Sequence, residues 1–220
     1  MRSLEVTFDQ PEWMRHPMQQ FLASTDDVRR EELVAWQLHD TERLEYALFF
    51  VHGDVDAYRD AIDEVESIRD WELAVVDRGR FYAYVEQRTR EADRAWRQAF
   101  AERNLVVTHP IVYDERARMR MTIVGRADDL RAMLEETPES IRKTVHHVGS
   151  LDRRLGGVGT DLTGRQREAL RTAMAAGYYE VPREGSLAEV AAALDVSEAT
   201  ASAHLRKAER TLVGRALGDG

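Results

Sequence analysis

The chain has 220 residues, 43% of them hydrophobic and 32% charged, with 40 acidic against 31 basic side chains, a formal net charge of −9 and no cysteine. That length fits one large or two small domains. No apolar run approaches the roughly 20 residues of a membrane-spanning helix, no secretory leader is legible, and disulfides and thiolate metal sites are excluded, so a soluble cytoplasmic protein is expected.

The first 150 residues carry two similar strings of elements. The first predicts a strand over Leu4–Asp9, a helix over Pro11–Ser24, strands over Leu33–His39 and Leu44–Val51, a helix over Val55–Ile68 and a strand over Trp71–Val76. The second predicts a strand over Phe81–Gln87, a helix over Glu91–Arg103, strands over Leu105–Val112 and Arg118–Val124, a helix over Ala127–Glu136 and a strand over Lys143–Val148. Alternation of apolar and polar residues supports the strands, as in Phe81-Tyr82-Ala83-Tyr84-Val85. One turn repeats at an offset of 72 residues, with Gly53 over Gly125, Asp56 over Asp128 and Arg59 over Arg131. In both copies an apolar strand ends at glycine and a helix starts on acidic residues, which suit the positive end of the helix dipole.

Both strings read βαββαβ, the ferredoxin-like order. The expected fold class is therefore α+β: tandem ferredoxin-like repeats, about 1–77 and 80–150, packed as an ACT-like pseudo-dimer and followed by an all-α domain. Residues 151–160 hold Gly156, Gly157 and Gly159 and read as a glycine-rich linker. No GKS or GKT follows, so a phosphate loop is not indicated.

Residues 161–220 predict three helices. The first runs from Thr163 to about Tyr178 with Leu170, Ala173, Met174 and Tyr178 along one stripe. Ser186 caps the second, with Glu189 three residues on completing a capping box, and Leu187, Val190, Ala191 and Leu194 inward. After a tight break at Asp195-Val196, Ser197 caps a third helix through Leu212, with Ala201, Leu205, Ala208 and Leu212 inward. A short turn and a small crossing residue, Ala191 or Ala192, fit a helix-turn-helix. That packing pushes the start of the third helix outward, where it can enter a DNA major groove. The exposed positions are Glu198, Ala199, Thr200, Ser202, Ala203, Arg206 and Lys207, short polar or basic groups suited to base edges and phosphates.

No catalytic constellation stands out. The seven histidines form neither HExxH nor a zinc pattern, and His146-His147 point to opposite faces of a strand. There is no GxSxG motif. The expectation is no enzyme, no cofactor and no metal. Of Trp13, Trp36, Trp71 and Trp96, with Phe49, Phe50, Tyr82 and Tyr84, some are expected to fill the cores and a few to line a cleft between the repeats, a usual place for a small ligand. RNA binding on the sheet is not indicated, because the RNP-type pattern is missing and the region is acidic.

The charge is unusual for a DNA binder. Asp161–Gly220 holds eight Arg/Lys against nine Asp/Glu, a net of −1, leaving −8 on the first 160 residues. Lysine occurs only at Lys143 and Lys207. An acidic, arginine-rich surface suits a cytoplasm of molar salt, where attraction to phosphate is screened, and points to a haloarchaeon.

The C-terminal stretch resembles the helix-turn-helix of the bacterio-opsin activator family of haloarchaeal regulators. The residues carrying the resemblance are LTGRQREALRTA at Leu162–Ala173, the connector GYYEVPR at Gly177–Arg183, and SLAEVA at Ser186–Ala191 leading into LDVS at Leu194–Ser197. It covers about residues 160–213 and is also loosely similar to the −35-reading region of sigma factors. It implies a sequence-specific transcription regulator with an N-terminal α+β module. By the resemblance, DNA contact falls to Ser197, Thr200, Ser202, His204, Arg206 and Lys207, with Arg165 and Arg167 on phosphates. The expected partners are double-stranded promoter DNA and a second copy of the chain, since two half-sites multiply specificity. Residues 1–150 would dimerise and could hold a small-molecule effector. The alternative is a ligand-binding or protein-interaction module whose helix-turn-helix docks on the transcription machinery rather than on DNA.

Overall fold

The computed structural model describes residues 1–39, 43–150 and 162–217, in two compact units, Met1–Asp152 and Arg153–Gly220. The glycine-rich joint at 151–160 lies outside the described residues.

The N-terminal unit contains β1 (Arg2–Asp9), α1 (Pro17–Ser24), β2 (Val28–His39), β3 (Leu44–Gly53), α2 (Val55–Asp63) and β4 (Ile68–Asp77), then β5 (Arg80–Arg88), α3 (Glu91–Ala101), β6 (Val106–Asp114), β7 (Met119–Gly125), α4 (Ala127–Glu136) and β8 (Arg142–Ser150). The strands form one eight-stranded sheet in the order β4-β5-β3-β2-β6-β7-β1-β8, and every neighbouring pair is antiparallel. Period-two patterning builds its inner face: Leu4, Val6 and Phe8 of β1, Phe81, Ala83 and Val85 of β5, and Met119, Met121 and Ile123 of β7 are all buried. They join Tyr58 and Ile62 of α2 and Leu130 and Met133 of α4 in one core.

Two self-contained ferredoxin-like repeats would each keep their own first strand between their third and fourth. Here those strands are exchanged. β5 pairs with β3 and β4, while β1 pairs with β7 and β8. The junction of the halves is the β2–β6 pairing at the middle of the sheet.

The repeated glycine turn has a steric cause. A Cβ on Gly53 would lie 2.6 Å from the Asp27 carbonyl oxygen, and one on Gly125 would lie 2.4 Å from Leu105 Cδ2. At the end of β3 the clash is with backbone leading into β2, so only glycine fits; at the end of β7 it is with the tip of the Leu105 side chain, which would have to turn aside.

Several predicted boundaries move. The helix expected over Pro11–Ser24 is a 3-10 turn at Glu12–Met14 followed by α1, because Pro17 starts a new helix capped by His16 and Gln19. β2 starts at Val28, five residues early, because Val28 already pairs with Gly53. α2 stops at Asp63 rather than Ile68, since Ile68 is drawn into β4 opposite Gln87.

The C-terminal unit contains α5 (Gly164–Ala175), α6 (Leu187–Ala193) and α7 (Glu198–Leu217). Ala169, Ala173, Val190 and Leu205 form its core, flanked by Leu170, Tyr178, Leu187 and Leu194. Met174, expected on the inner stripe of α5, is 68% exposed; the inward positions are Ala169 and Ala173, four apart. α5 also ends before Tyr178, because Gly177 adopts φ +72° and closes the helix.

Candidate nucleic-acid interface

Capping sets the helices of the C-terminal unit. Thr163 Oγ1 accepts from Gln166 N (3.2 Å), and Thr163 N donates to Gln166 Oε1 (2.7 Å). At α6, Glu189 N donates to Ser186 Oγ (3.2 Å), while Ser186 N donates to Glu189 Oε2 (2.6 Å). These bonds hold the Glu189 carboxyl below its ordinary pKa. Ser197 Oγ accepts from Thr200 N (3.2 Å) at the start of α7, as the sequence predicts for a cap.

The α6–α7 turn needs one left-handed residue, Asp195 at φ 54°. Ala191 is buried at the crossing, whereas Ala192 is exposed. Buried Ala201, Leu205 and Ala208 lay one side of α7 against α5 and α6. At 100° per residue the opposite side presents Ala199, Ala203, Arg206 and Arg210, all exposed, with Thr200 and Lys207 at its edge. The surface is thus flat near the helix start and basic one turn later. Among the described residues no ion pair engages Arg206, Lys207 or Arg210.

Of the other predicted site residues, Ser202 and His204 are half-buried on the flanks of α7. Arg165 pairs with Glu168 (2.9 Å), and Arg167 Nη2 donates to the Leu162 carbonyl (3.0 Å). Both are therefore committed at the start of α5, unlike Arg206, Lys207 and Arg210 of α7.

The connector Gly177–Gly185 is a closed loop. The Gly177 carbonyl accepts from the amides of Glu180, Glu184 and Gly185 at 3.1–3.2 Å. The Arg183 guanidinium lies 4.2 Å from the centre of the Tyr178 ring. Tyr179 donates to Glu209 of α7 (2.5 Å); burial and this bond push its phenol pKa up. These ties between connector and α7 were not legible, because nothing local pairs Tyr179 with a residue thirty positions away.

Comparison with known proteins agrees with this geometry. Residues 162–214 match the family described as an HTH DNA binding domain. Residues 16–151, more than half the chain, match the N-terminal domain family HVO_0513_N. Transcriptional regulator NarO of Haloferax volcanii is 49% identical over 88 residues, 40% of this chain and 37% of that protein. A second protein of the same organism, described as a candidate transcriptional regulator, is 40% identical over 72 residues, 33% of this chain and 12% of its own. The chain thus spans well under half the length of these two relatives. No solved structure matches. The chain belongs to the HVO_0513_N family, its N-terminal domain followed by a bacterio-opsin activator-type helix-turn-helix.

Proposed function

We propose that the protein is a sequence-specific, DNA-binding transcription regulator of a haloarchaeal cytoplasm, with α7 as its recognition helix. The observation that carries this reading is the outward face of α7: small Ala199 and Ala203, polar Thr200, then Arg206, Lys207 and Arg210 exposed. Small side chains let a helix approach base edges closely, and cations one turn on meet phosphate. Ser197, Thr200, Ser202, His204, Arg206 and Lys207 are the contacts, with Arg165 and Arg167 as weaker phosphate contacts because each already has a partner.

The N-terminal unit is read as two ferredoxin-like halves with exchanged first strands that dimerise and sense an effector. The face of the sheet away from the helices supports dimerisation, since Tyr82 and Tyr84 of β5 are exposed there beside Phe50 and Tyr46.

Docking on the transcription machinery remains the second reading, favoured by one observation. Val181, at the tip of the connector, is 97% exposed, with Met174 and Tyr179 exposed as well.

Genome-wide crosslinking of the tagged protein, beside an Arg206→Ala/Lys207→Ala variant, tests both. Promoter peaks sharing a two-fold-symmetric motif and lost in the variant are expected. Peaks unchanged in the variant, or association with promoters without any motif, would favour docking through the connector.

A further inference from the structure

The N-terminal unit holds a half-open cavity of about 680 Å³ on the helix-covered face of the sheet, under α1 and α3. That volume is typical of small-molecule sites. It lies where the sheet forks. β2 and β6 pair only from Arg30 with Asp114 to Leu33 with Ile111, although β2 runs on to His39 and β6 begins at Val106. Both strands are irregular just there, β2 between Leu33 and Ala35 and β6 between Thr108 and Val112. Among the described lining residues only Arg94, Val106 and His109 are exposed, the last two on the β6 arm of the fork, which sets the mouth there. The walls are mostly apolar, with Trp36, Phe49, Trp96 and Phe100 among them. Trp96 is fixed by edge-on contacts with Phe8 (5.1 Å) and Phe100 (5.0 Å). Rings on the walls favour a ring in the occupant, through edge-on or offset packing.

The stretch of β2 from Leu38, on the arm of the fork, to Glu31 spans about 20 Å, so the cavity is a slot. Its charged groups are already answered. Tyr58 closes the Glu31 end by donating to Glu31 Oε1 (2.6 Å). Glu45 Oε2 accepts from Trp36 Nε1 and Gln87 Nε2 (3.4 Å each), and the carboxylate has a further partner. Asp93 pairs with Arg90 (3.7 Å), and Arg94 is exposed to water. A charged ligand would shed its hydration and meet no unmatched opposite charge inside.

One polar group in the wall is left over. His16 is 9% exposed. Its Nδ1 accepts from Met18 N (3.2 Å), which leaves the proton of the neutral ring on Nε2. Burial and the charge of Arg90 hold the ring neutral, with its pKa down at about 4. Nε2 is buried and makes no hydrogen bond of good geometry, although the Gln87 amide is near enough to favour the charged ring. A buried N–H without an acceptor costs free energy that an oxygen atom on a ligand recovers.

We propose that the cavity is a binding site for an uncharged aromatic carbonyl compound, whose oxygen accepts from His16 Nε2 and whose apolar body lies along the slot against Trp36, Phe49, Trp96 and Phe100. This deepens the effector-sensing role of the N-terminal unit and rests on that reading.

The full-length protein is titrated by calorimetry with benzylacetone, a neutral phenyl ketone, and with phenylpropylamine and phenylpropionate as cationic and anionic counterparts of similar size. Saturable binding of the ketone is expected, at least about tenfold tighter than either counterpart. In nitrogen-labelled protein the His16 Nε2 resonance should move with the ketone and much less with butylbenzene, which has the body without the oxygen. Ala47→Phe, which adds a ring to the buried floor of the cavity, should abolish binding while melting cooperatively. Equal binding of the amine or the carboxylate, no ketone binding at millimolar concentration, an unmoved His16 resonance, or unchanged affinity in Ala47→Phe would overturn the proposal. The comparison among probes uses the unaltered protein, so a misfolded variant does not blunt it. DNA binding is measured on the same samples: a chain that binds promoter DNA but not the ketone sinks the carbonyl site alone, and one that binds the ketone but no DNA sinks the regulator reading alone.

Discussion

Two residues of the N-terminal core hold protonation states that the fold imposes. Glu31, 3% exposed, is flanked on its strand neighbours by Val51 and Tyr113 and meets the Tyr58 hydroxyl from α2. Burial raises its pKa from 4.5 to about 7, with the Tyr58 bond opposing. His16 moves the other way, from 6.5 to about 4. A raised carboxyl pKa means the native state holds a proton that the unfolded chain has lost. Glu31 therefore takes stability away as pH rises from about 4.5 to 7. A depressed histidine pKa has the opposite sign, so His16 takes stability away as pH falls from about 6.5 to 4. In the wild type the two slopes oppose each other over the shared range. Glu31→Gln keeps an oxygen for Tyr58 and removes one slope. Urea unfolding between pH 5 and 7 should show the variant gaining on the wild type by up to about 1.4 kcal/mol per pH unit. A constant difference across that range would mean Glu31 is ionised in the folded protein. None of this was legible in the sequence. In Arg29-Arg30-Glu31-Glu32 a glutamate reads as solvent-facing, and only the third dimension brings Tyr58 over it.

The elements of the C-terminal unit were easier to read, because their signals are local. Ser186 with Glu189, and Ser197 before α7, state their helix starts within four residues, and the structure has both caps. Met174 misled because its spacing to Leu170 fits the stripe equally well, and only the packing of three helices selects Ala169 and Ala173. The connector carries a constraint that is invisible in sequence. A Cβ at Gly185 would fall 1.7 Å from the Ala176 carbonyl oxygen, inside the turn that joins α5 to α6. Ser186→Ala, which removes only a cap, should cost about 1 kcal/mol. Gly185→Ala must push backbone against backbone and should cost more. Hydrogen exchange of the α5–α7 amides in the full chain checks the order: about fivefold lost protection for Ser186→Ala, and a larger loss for Gly185→Ala. Equal effects would mean the connector can relax around a methyl group.

At the scale of the whole N-terminal unit, the order of the elements was legible and the pairing of the strands was not. Val51 of β3 faces Phe81 of β5, and Ile123 of β7, 72 residues after Val51, faces Leu4 of β1. Periodicity says that β1 and β5 each bury one face, but not which half of the sheet receives it. We attribute the exchange to side-chain volume. In equivalent positions β5 offers Phe81, Ala83 and Val85, while β1 offers Leu4, Val6 and Phe8. Phe81 packs edge-on to Tyr58 of α2 (5.2 Å), and Phe8 packs edge-on to Trp96 of α3 (5.1 Å). On that account, returning each strand to its own repeat would misplace Phe8 and Phe81, at about 1–3 kcal/mol for each overpacked position. The exchange makes the halves interdependent. β4 pairs only with β5 and β8 only with β1, so a fragment 1–77 keeps just the β2–β3 pairing and a fragment 80–150 just β6–β7. Two-stranded remnants are marginal in water. Each fragment alone should give a collapsed amide spectrum, and mixing the two should restore the dispersed spectrum of the intact unit. A dispersed spectrum from either fragment by itself would mean that a repeat can close on its own first strand, and that the exchange reflects the covalent link between repeats rather than the fit of Phe8 and Phe81 to their helices.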